Sequence, residues 1–172
     1  MFQYRVTKYN PALRDPDGTF PVSTWTSATD IGRSFNGQTL TKESYLAMED
    51  LYVGAVERAI SAAAPSRLRL VDAEISDDSQ PSTLPSLDLA NLIYAPHIRP
   101  RDALTLSRAI LREVVWGRIE GSDGFYVHFG YDYYMYIGGS APRLRHFATE
   151  GLFVEQHPSP YAPDDRQAEG DA

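Results

Sequence analysis

The chain has 172 residues, of which 42% are hydrophobic and 23% charged, as is usual for one globular domain. It contains no cysteine, which excludes disulfides, zinc–thiolate sites, Fe–S clusters and cysteine nucleophiles and suits a reducing compartment. The net charge of −7 makes it a poor partner for nucleic acid, since that affinity comes largely from Lys and Arg. The same charge suits ordinary solubility, or a basic protein partner.

The first predicted element is a half-buried strand over residues 3–9, where polar and apolar residues alternate before Asn10-Pro11 ends the run. The opening MFQYRVTKYNP lacks the apolar region of a signal peptide, and no apolar run approaches the roughly 20 residues of a membrane helix. We therefore expect a cytoplasmic protein with no membrane partner. Asp17-Gly18 and Asn36-Gly37 then mark turns on either side of a Ser- and Thr-rich loop.

A long helix is predicted over residues 42–63, with Thr41 as its N-cap and Pro65 just beyond its end. Its apolar residues recur at spacings of three and four, so they form one face. They are Tyr45, Met48, Tyr52, Val56 and Ile60. Glu49 and Asp50 fall on the opposite, acidic face, which predicts that both are exposed to solvent.

The middle of the chain predicts a strand and a second helix. Residues 67–75 alternate well enough to favour a strand, and residues 84–98 are ambiguous, with a short helical turn possible. A helix is predicted over 103–119, capped by Asp102 and ended by Gly121, because its apolar residues again follow a helical stripe.

The stretch FYVHFGYDYYMYIGG predicts β-structure because aromatic and β-branched residues dominate it. Either one long strand or two strands broken near residues 130–132 fits. The odd-numbered residues of this stretch, beginning with Phe125, form the more apolar set and should face the core. The even-numbered residues on the opposite face include Tyr126, His128, Tyr134 and Tyr136. Residues 143–148 suggest a short helix and GLFVEQH a final strand.

These elements predict an α+β fold with a mainly antiparallel sheet packed against two long helices. Residues 1–157 are expected to form this single domain. The remaining residues, 158–172, are rich in Pro and acidic side chains and are expected to be a disordered tail.

Candidate chemistry is sparse. None of the four histidines pairs with another at metal-binding spacing, and no glycine-rich phosphate motif is present, so no metal or cofactor is expected. His128 lies close in sequence to Tyr126 and Asp132, and an imidazole with such neighbours can perform acid–base work. The alternative is a histidine whose polar atoms are satisfied by a neighbour inside the sheet.

The tyrosines of the aromatic strand allow two interpretations. An exposed patch would form a protein interface, because tyrosine brings a large area at low entropic cost. If a helix covers the patch, the same rings are part of the core.

Two regions also carry a resemblance. The stretches YRVTKYNPALRDPDGTF with WTSATDIG, and FYVHFGYDYYMYIG with GLFVE, resemble a group of small stand-alone bacterial proteins that are mostly uncharacterised. In size, acidity and aromatic strands these are similar to immunity proteins, which neutralise polymorphic or contact-delivered toxins. The resemblance covers most of residues 3–155 and implies a protein partner, but no catalytic residues.

The leading hypothesis is a protein that sequesters one partner, a basic toxin domain, as its immunity protein. An aromatic centre would supply buried area and an acidic rim would steer the partner. The centre consists of Trp25, Tyr131, Tyr134 and Tyr136, and the rim of Glu49, Asp50, Asp77 and Asp78. The alternative is a small enzyme or ligand-binding domain that uses His128 with Tyr126 or Asp132 in a pocket beside the sheet. A third possibility is a structural subunit of a larger complex.

Overall fold

The computed structural model describes residues 1–20, 23–76, 84–89, 91–147 and 150–162. It confirms the α+β class, with six strands in one antiparallel sheet and two helices. The strands in these residues are β1 Phe2–Thr7, β2 Ser34–Phe35, β3 Gln38–Thr39, β4 Leu68–Ile75, β5 Val115–Gly121, β6 Tyr126–Phe129, β7 Met135–Gly139 and β8 Phe153–Gln156. The large sheet has the order β4-β5-β6-β7-β1-β8, and β2 pairs with β3 in a separate hairpin.

The first helix, α1, spans Lys42–Ala63 and confirms the prediction at both ends. Thr41 accepts a hydrogen bond from the Ser44 amide (3.1 Å), which satisfies one free N–H of the first turn. The helix ends at Ala64, whose φ of 45° is left-handed, and Pro65 follows. Tyr45, Tyr52, Val56 and Ile60 of the predicted apolar face are buried in the core, whereas Met48 is partly buried at its edge.

The second helix, α2, spans only Pro100–Leu111, so the prediction of a helix over 103–119 is wrong in its second half. The chain reverses at Glu113, where φ is 60°, and residues 115–121 form β5. That strand pairs with β4 on one side and β6 on the other. Val115 and Ile119, four residues apart, fit a helical stripe and one face of a strand equally well, and the sheet partners favour the strand.

The aromatic stretch forms a hairpin of β6 and β7 rather than one long strand. The Gly130 amide donates to the Tyr134 carbonyl (2.8 Å), and both Asp132 and Tyr133 have positive φ in the turn. The expected core parity holds for the buried Phe125, Val127, Phe129, Tyr133, Met135 and Ile137. It is wrong for Tyr131, which the turn carries out of the strand, so that 76% of the residue is exposed.

The two faces of the sheet are covered differently. The face that carries Val127 and Ile137 belongs to the hydrophobic core, which also holds the buried residues of α1 and α2. On the opposite face, the segment 157–162 lies across the rings of His128 and Tyr136. The domain therefore includes residues 158–162, which were expected to belong to the tail. Residues 163–172 lie outside the described part. Neither helix of the described chain has the length and apolarity that a membrane crossing requires.

Candidate interaction site

An apolar groove of about 380 Å³ lies at one end of the sheet, where β4 and β6 end and β5 begins. Three large apolar side chains at its rim remain in solvent: Tyr131 is 76% exposed, Ile75 54% and Trp116 38%. Buried apolar residues, including Val115 and Phe129, form its walls. Clustered exposed apolar groups rimmed by polar residues mark interaction sites in soluble proteins.

Two aromatic rings dominate the rim. Tyr131 stacks on Trp116 with centroids 5.7 Å apart and an interplanar angle of 27°. Tyr161 meets Trp116 edge-on at 6.3 Å, which supports the indole from the side of the C-terminal segment. Such pairs contribute on the order of 1 kcal/mol beyond area burial, so the two exposed rings form a preorganised aromatic platform.

The turn that presents Tyr131 has a strained backbone, which is anchored by the buried contacts of Tyr133. Tyr133 has a φ of 61°, a conformation that costs a bulky residue on the order of 1–3 kcal/mol. Its ring lies in a buried aromatic cluster, edge-on to Trp25 at 4.9 Å and to Tyr52 at 5.3 Å. Tyr52 Oη also donates to the Tyr133 carbonyl (2.6 Å). These contacts anchor the turn at Tyr133, two residues beyond the exposed Tyr131.

Three exposed carboxylates line the same groove, Glu74, Glu113 and Asp132. Within the described ranges, no Lys or Arg nitrogen lies within 4.0 Å of any of them. Glu113 accepts a hydrogen bond from Ser27 Oγ (3.1 Å), which fixes its orientation. Glu74 lies directly opposite Trp116 across the β4–β5 pair. The groove therefore combines an apolar rim with acidic groups that form no ion pair in the described part of the chain, a combination that fits an apolar insert flanked by basic side chains.

The structure separates the predicted aromatic centre. Tyr131 stands at the groove, whereas Trp25 and Tyr134 are half-buried elsewhere. Trp25 packs in the Tyr133 cluster, and Tyr134 lies beneath the Arg5 guanidinium at 5.3 Å. The expectation that Tyr136 forms part of an exposed patch is wrong, because its ring is buried under the C-terminal segment, beside Tyr161.

The predicted acidic rim is also largely displaced. Glu49 is fully buried, and it accepts hydrogen bonds from Arg108 Nη1 (2.6 Å) of α2 and from Arg112 Nε (2.6 Å) just beyond the end of that helix. It cannot steer a partner, because two arginines neutralise it inside the core. Asp50 is exposed but paired with Arg108 at 2.7 Å. Asp77 and Asp78 lie outside the described residues.

The alternative catalytic set is not assembled. His128 and Tyr126 are buried on the face covered by the C-terminal segment, with rings stacked at 4.3 Å, while Asp132 lines the groove. His128 Nδ1 lies 2.8 Å from Ser159 Oγ, and burial, helped by the Arg118 charge, lowers the pKa of the imidazole to about 4. The histidine is therefore neutral at pH 7 and packed between rings rather than presented in a cavity.

Sequence reasoning missed four groove residues, Ile75, Glu74, Glu113 and Trp116. Glu113 and Trp116 were missed because the predicted helix over 103–119 covered residues that form a turn and the strand β5. The signal that would have found Trp116 is the alternation of Val115, Gly117 and Ile119, all buried, with the exposed or half-buried residues between them.

Comparison with family models, curated proteins and solved structures finds no match to this chain. In the part of the chain that the structure describes, no three His, Asp or Glu side chains are grouped so that they could hold a metal ion. The function is therefore argued from the groove itself.

Proposed function

We propose that the chain is a protein-binding protein that sequesters a single partner through the groove at the end of the sheet. The observation that carries this proposal is the cluster of three exposed apolar side chains, Ile75, Trp116 and Tyr131. Beside it lie carboxylates that form no ion pair with any Lys or Arg that the structure describes. The partner inserts an apolar or aromatic side chain between them and places Lys or Arg against Glu74, Glu113 and Asp132.

The energetic argument rests on preorganisation. Interface energy concentrates in a few well-packed residues, with Trp and Tyr strongly enriched among them. Tyr131 and Trp116 are already stacked, and the strained turn is held by the Tyr133 cluster, so binding orders few new groups. The acidic groups then act mainly on the association rate, since complementary charge steers encounter.

For the partner we propose a basic toxin domain, which makes the chain an immunity protein that acts by occlusion. Support comes from the acidity of the chain, with a net charge of −7, and from the resemblance of the N-terminal and aromatic stretches to that class.

The proposal predicts that a modular secreted protein is encoded directly upstream of the gene, and the test uses the C-terminal domain of that protein. Its dissociation constant is measured by surface plasmon resonance for the wild type, Trp116→Ala and Tyr131→Ala. We expect each variant to raise the dissociation constant by about 30-fold, because the loss of a central aromatic side chain costs about 2 kcal/mol of binding free energy. Tyr94→Ala is the matched control, because Tyr94 is 79% exposed but does not line the groove, and it should bind as the wild type does.

The acidic groups are tested separately. Glu113→Gln and Asp132→Asn should lower the association rate at low salt and leave the dissociation rate nearly unchanged. Asn tolerates the positive φ of position 132, so this variant keeps the turn. Unchanged binding by both aromatic variants would contradict the groove. Failure of the wild type to bind the upstream domain, or to protect cells that express it, would contradict the toxin assignment.

A further inference from the structure

The C-terminal segment, residues 157–162, crosses the face of the sheet opposite the hydrophobic core. The His157 amide donates to the Gln3 carbonyl (3.1 Å) and so continues the pairing of β8 with β1. In the described part of the chain, no backbone–backbone hydrogen bond joins the residues after His157 to a strand. Pro158 and Pro160 have no amide hydrogen to donate, and both are exposed. The segment beyond His157 can therefore leave the sheet without breaking any strand pairing.

Side chains of the sheet hold the C-terminal segment in place. His128 Nδ1 lies 2.8 Å from Ser159 Oγ, and Arg118 Nη1 donates to the Tyr161 carbonyl (2.8 Å). Ser159 Oγ also accepts from the Tyr161 amide (3.1 Å), so one hydroxyl both binds the sheet and fixes the turn that presents Tyr161. Attachment has a cost, because His128 Nε2 is buried without a hydrogen-bond partner among the described residues, 4.0 Å from Glu120 Oε1. Release would return this nitrogen to water.

Tyr161 joins this covered face to the groove. Its ring is edge-on to Trp116 at 6.3 Å and to Tyr136 at 6.2 Å. Its hydroxyl lies over Gly130, since a Cβ at that position would be 3.3 Å from Tyr161 Oη. Gly130 lines the groove and directly precedes Tyr131. Tyr161 therefore contacts one ring of the Trp116–Tyr131 stack and the backbone next to the other.

We propose that the C-terminal segment is a detachable strap that positions Trp116 for the protein partner, with Ser159 as its anchor and Tyr161 as the positioning residue. In the attached state Trp116 is stacked on Tyr131 and supported by Tyr161. Release removes that support, so the released state binds the partner more weakly. Because a partner that prefers the attached state shifts the equilibrium toward it, binding and attachment favour each other. This role in binding rests on the groove function proposed above.

Fluorine NMR of the full chain labelled with 5-fluorotryptophan tests the strap without any partner. The chain has two tryptophans, and Trp116→Phe assigns their resonances. Ser159→Ala removes the anchor at a residue that does not line the groove, so we expect it to shift the Trp116 resonance and leave that of Trp25 unmoved. Ser61→Ala, at an exposed serine of α1, is the matched control and should shift neither. An unmoved Trp116 resonance in Ser159→Ala would overturn the proposal.

Labelling of His128 by diethyl pyrocarbonate measures release of the strap. Peptide mass spectrometry compares His128 with the exposed His97 in the same sample, and His128 of the wild type should react far more slowly. Ser159→Ala and Tyr161→Ala should each raise its relative rate by roughly five- to tenfold, the effect of one lost hydrogen bond or ring contact on the opening equilibrium. Bound partner should slow the labelling of the wild type. Unchanged labelling in both variants would show that neither side chain holds the strap and would refute it.

The dissociation constant of the partner completes the test. Ser159→Ala and Tyr161→Ala should raise it by roughly five- to tenfold, whereas Tyr161→Phe keeps the ring and should bind as the wild type does. If Trp116→Ala weakens binding and neither Ser159→Ala nor Tyr161→Ala does, the groove stands and the strap fails. If Trp116→Ala and Tyr131→Ala both bind as the wild type does, the groove function fails and takes the role of the strap in binding with it. The fluorine measurement then still decides whether the strap positions Trp116.

Discussion

Replacement of the buried Glu49 by Gln tests how the two helices are joined. Both oxygens of the carboxylate are used: Oε2 accepts from Arg112 Nε (2.6 Å), and Oε1 accepts from Arg112 Nη2 (2.8 Å) and Arg108 Nη1 (2.6 Å). Arg112 also donates to the Pro85 carbonyl (2.6 Å), so the cluster joins α1, α2 and the chain segment before α2. Glu49→Gln keeps the shape but removes the negative charge that both arginines contact.

The magnitude follows from burial. The Glu49 side chain is 0% exposed and that of Arg112 2%, so the variant leaves a guanidinium in the interior without its counter-charge. Removal of one partner of a buried pair costs about 3–5 kcal/mol, and the amide oxygen of Gln can still accept one bond, so we expect about 3 kcal/mol. Asp50→Asn is the matched control: Asp50 also pairs with Arg108, but its side chain is 63% exposed. Such surface pairs contribute about 0–1 kcal/mol.

The assay is urea unfolding at neutral pH followed by circular dichroism. With a slope of about 1–3 kcal/mol/M, Glu49→Gln should lower the midpoint by roughly 1–3 M, whereas Asp50→Asn should lower it by less than about 1 M. An unchanged slope shows that stability alone has changed. Equal, small shifts for the two variants would refute the reasoning, because they would show that burial adds nothing to this ion pair.

Two further predictions concern the face covered by the C-terminal segment. Since the pKa of His128 is lowered from 6.5 to about 4, its contribution to stability is complete above pH 6.5 and is lost as the pH falls through 4. Urea titrations of the wild type and His128→Phe at pH 7 and pH 4 give the difference in their unfolding free energies. This difference should change by about 3 kcal/mol between the two pH values, at about 1.4 kcal/mol per pKa unit. A difference that is the same at both pH values would contradict this expectation. A Cβ at position 138 would overlap the Tyr126 ring, so Gly138→Ala should cost about 1–3 kcal/mol by urea unfolding. The loss should shrink in a Tyr126→Val background, and an undiminished loss there would show that the ring is not its cause.

Local signals in the sequence were sufficient for much of the architecture. The bounds of α1 follow from the Thr41 cap and from Pro65, which disfavours helical backbone at Ala64. The strand β1, the strand β4 and the core parity of the aromatic stretch follow from alternation, which depends only on the geometry of each strand. From these elements the α+β class could be predicted.

The candidate site depended on contacts between distant parts of the chain. Val115 and Ile119 became strand residues because β4 and β6 supply hydrogen-bond partners on both sides, and this placed Trp116 beside Tyr131. Glu49 became buried because two arginines about 60 residues away neutralise it, as the hydrogen bonds across 59 and 63 positions show. A solvated acidic helix face and a buried ion pair have the same local sequence pattern.

The sequence thus determined the bounds of α1, the extended conformation of β1 and β4, and which alternate residues of the aromatic stretch are apolar, because propensity, capping and periodicity act within a few residues. Only the tertiary structure decided which aromatic rings stay in solvent. Tyr131 lies exposed in the turn between β6 and β7, whereas the segment 157–162 buries Tyr136. Exposure depends on what packs against a residue from elsewhere in the chain, and no local pattern encodes that neighbour.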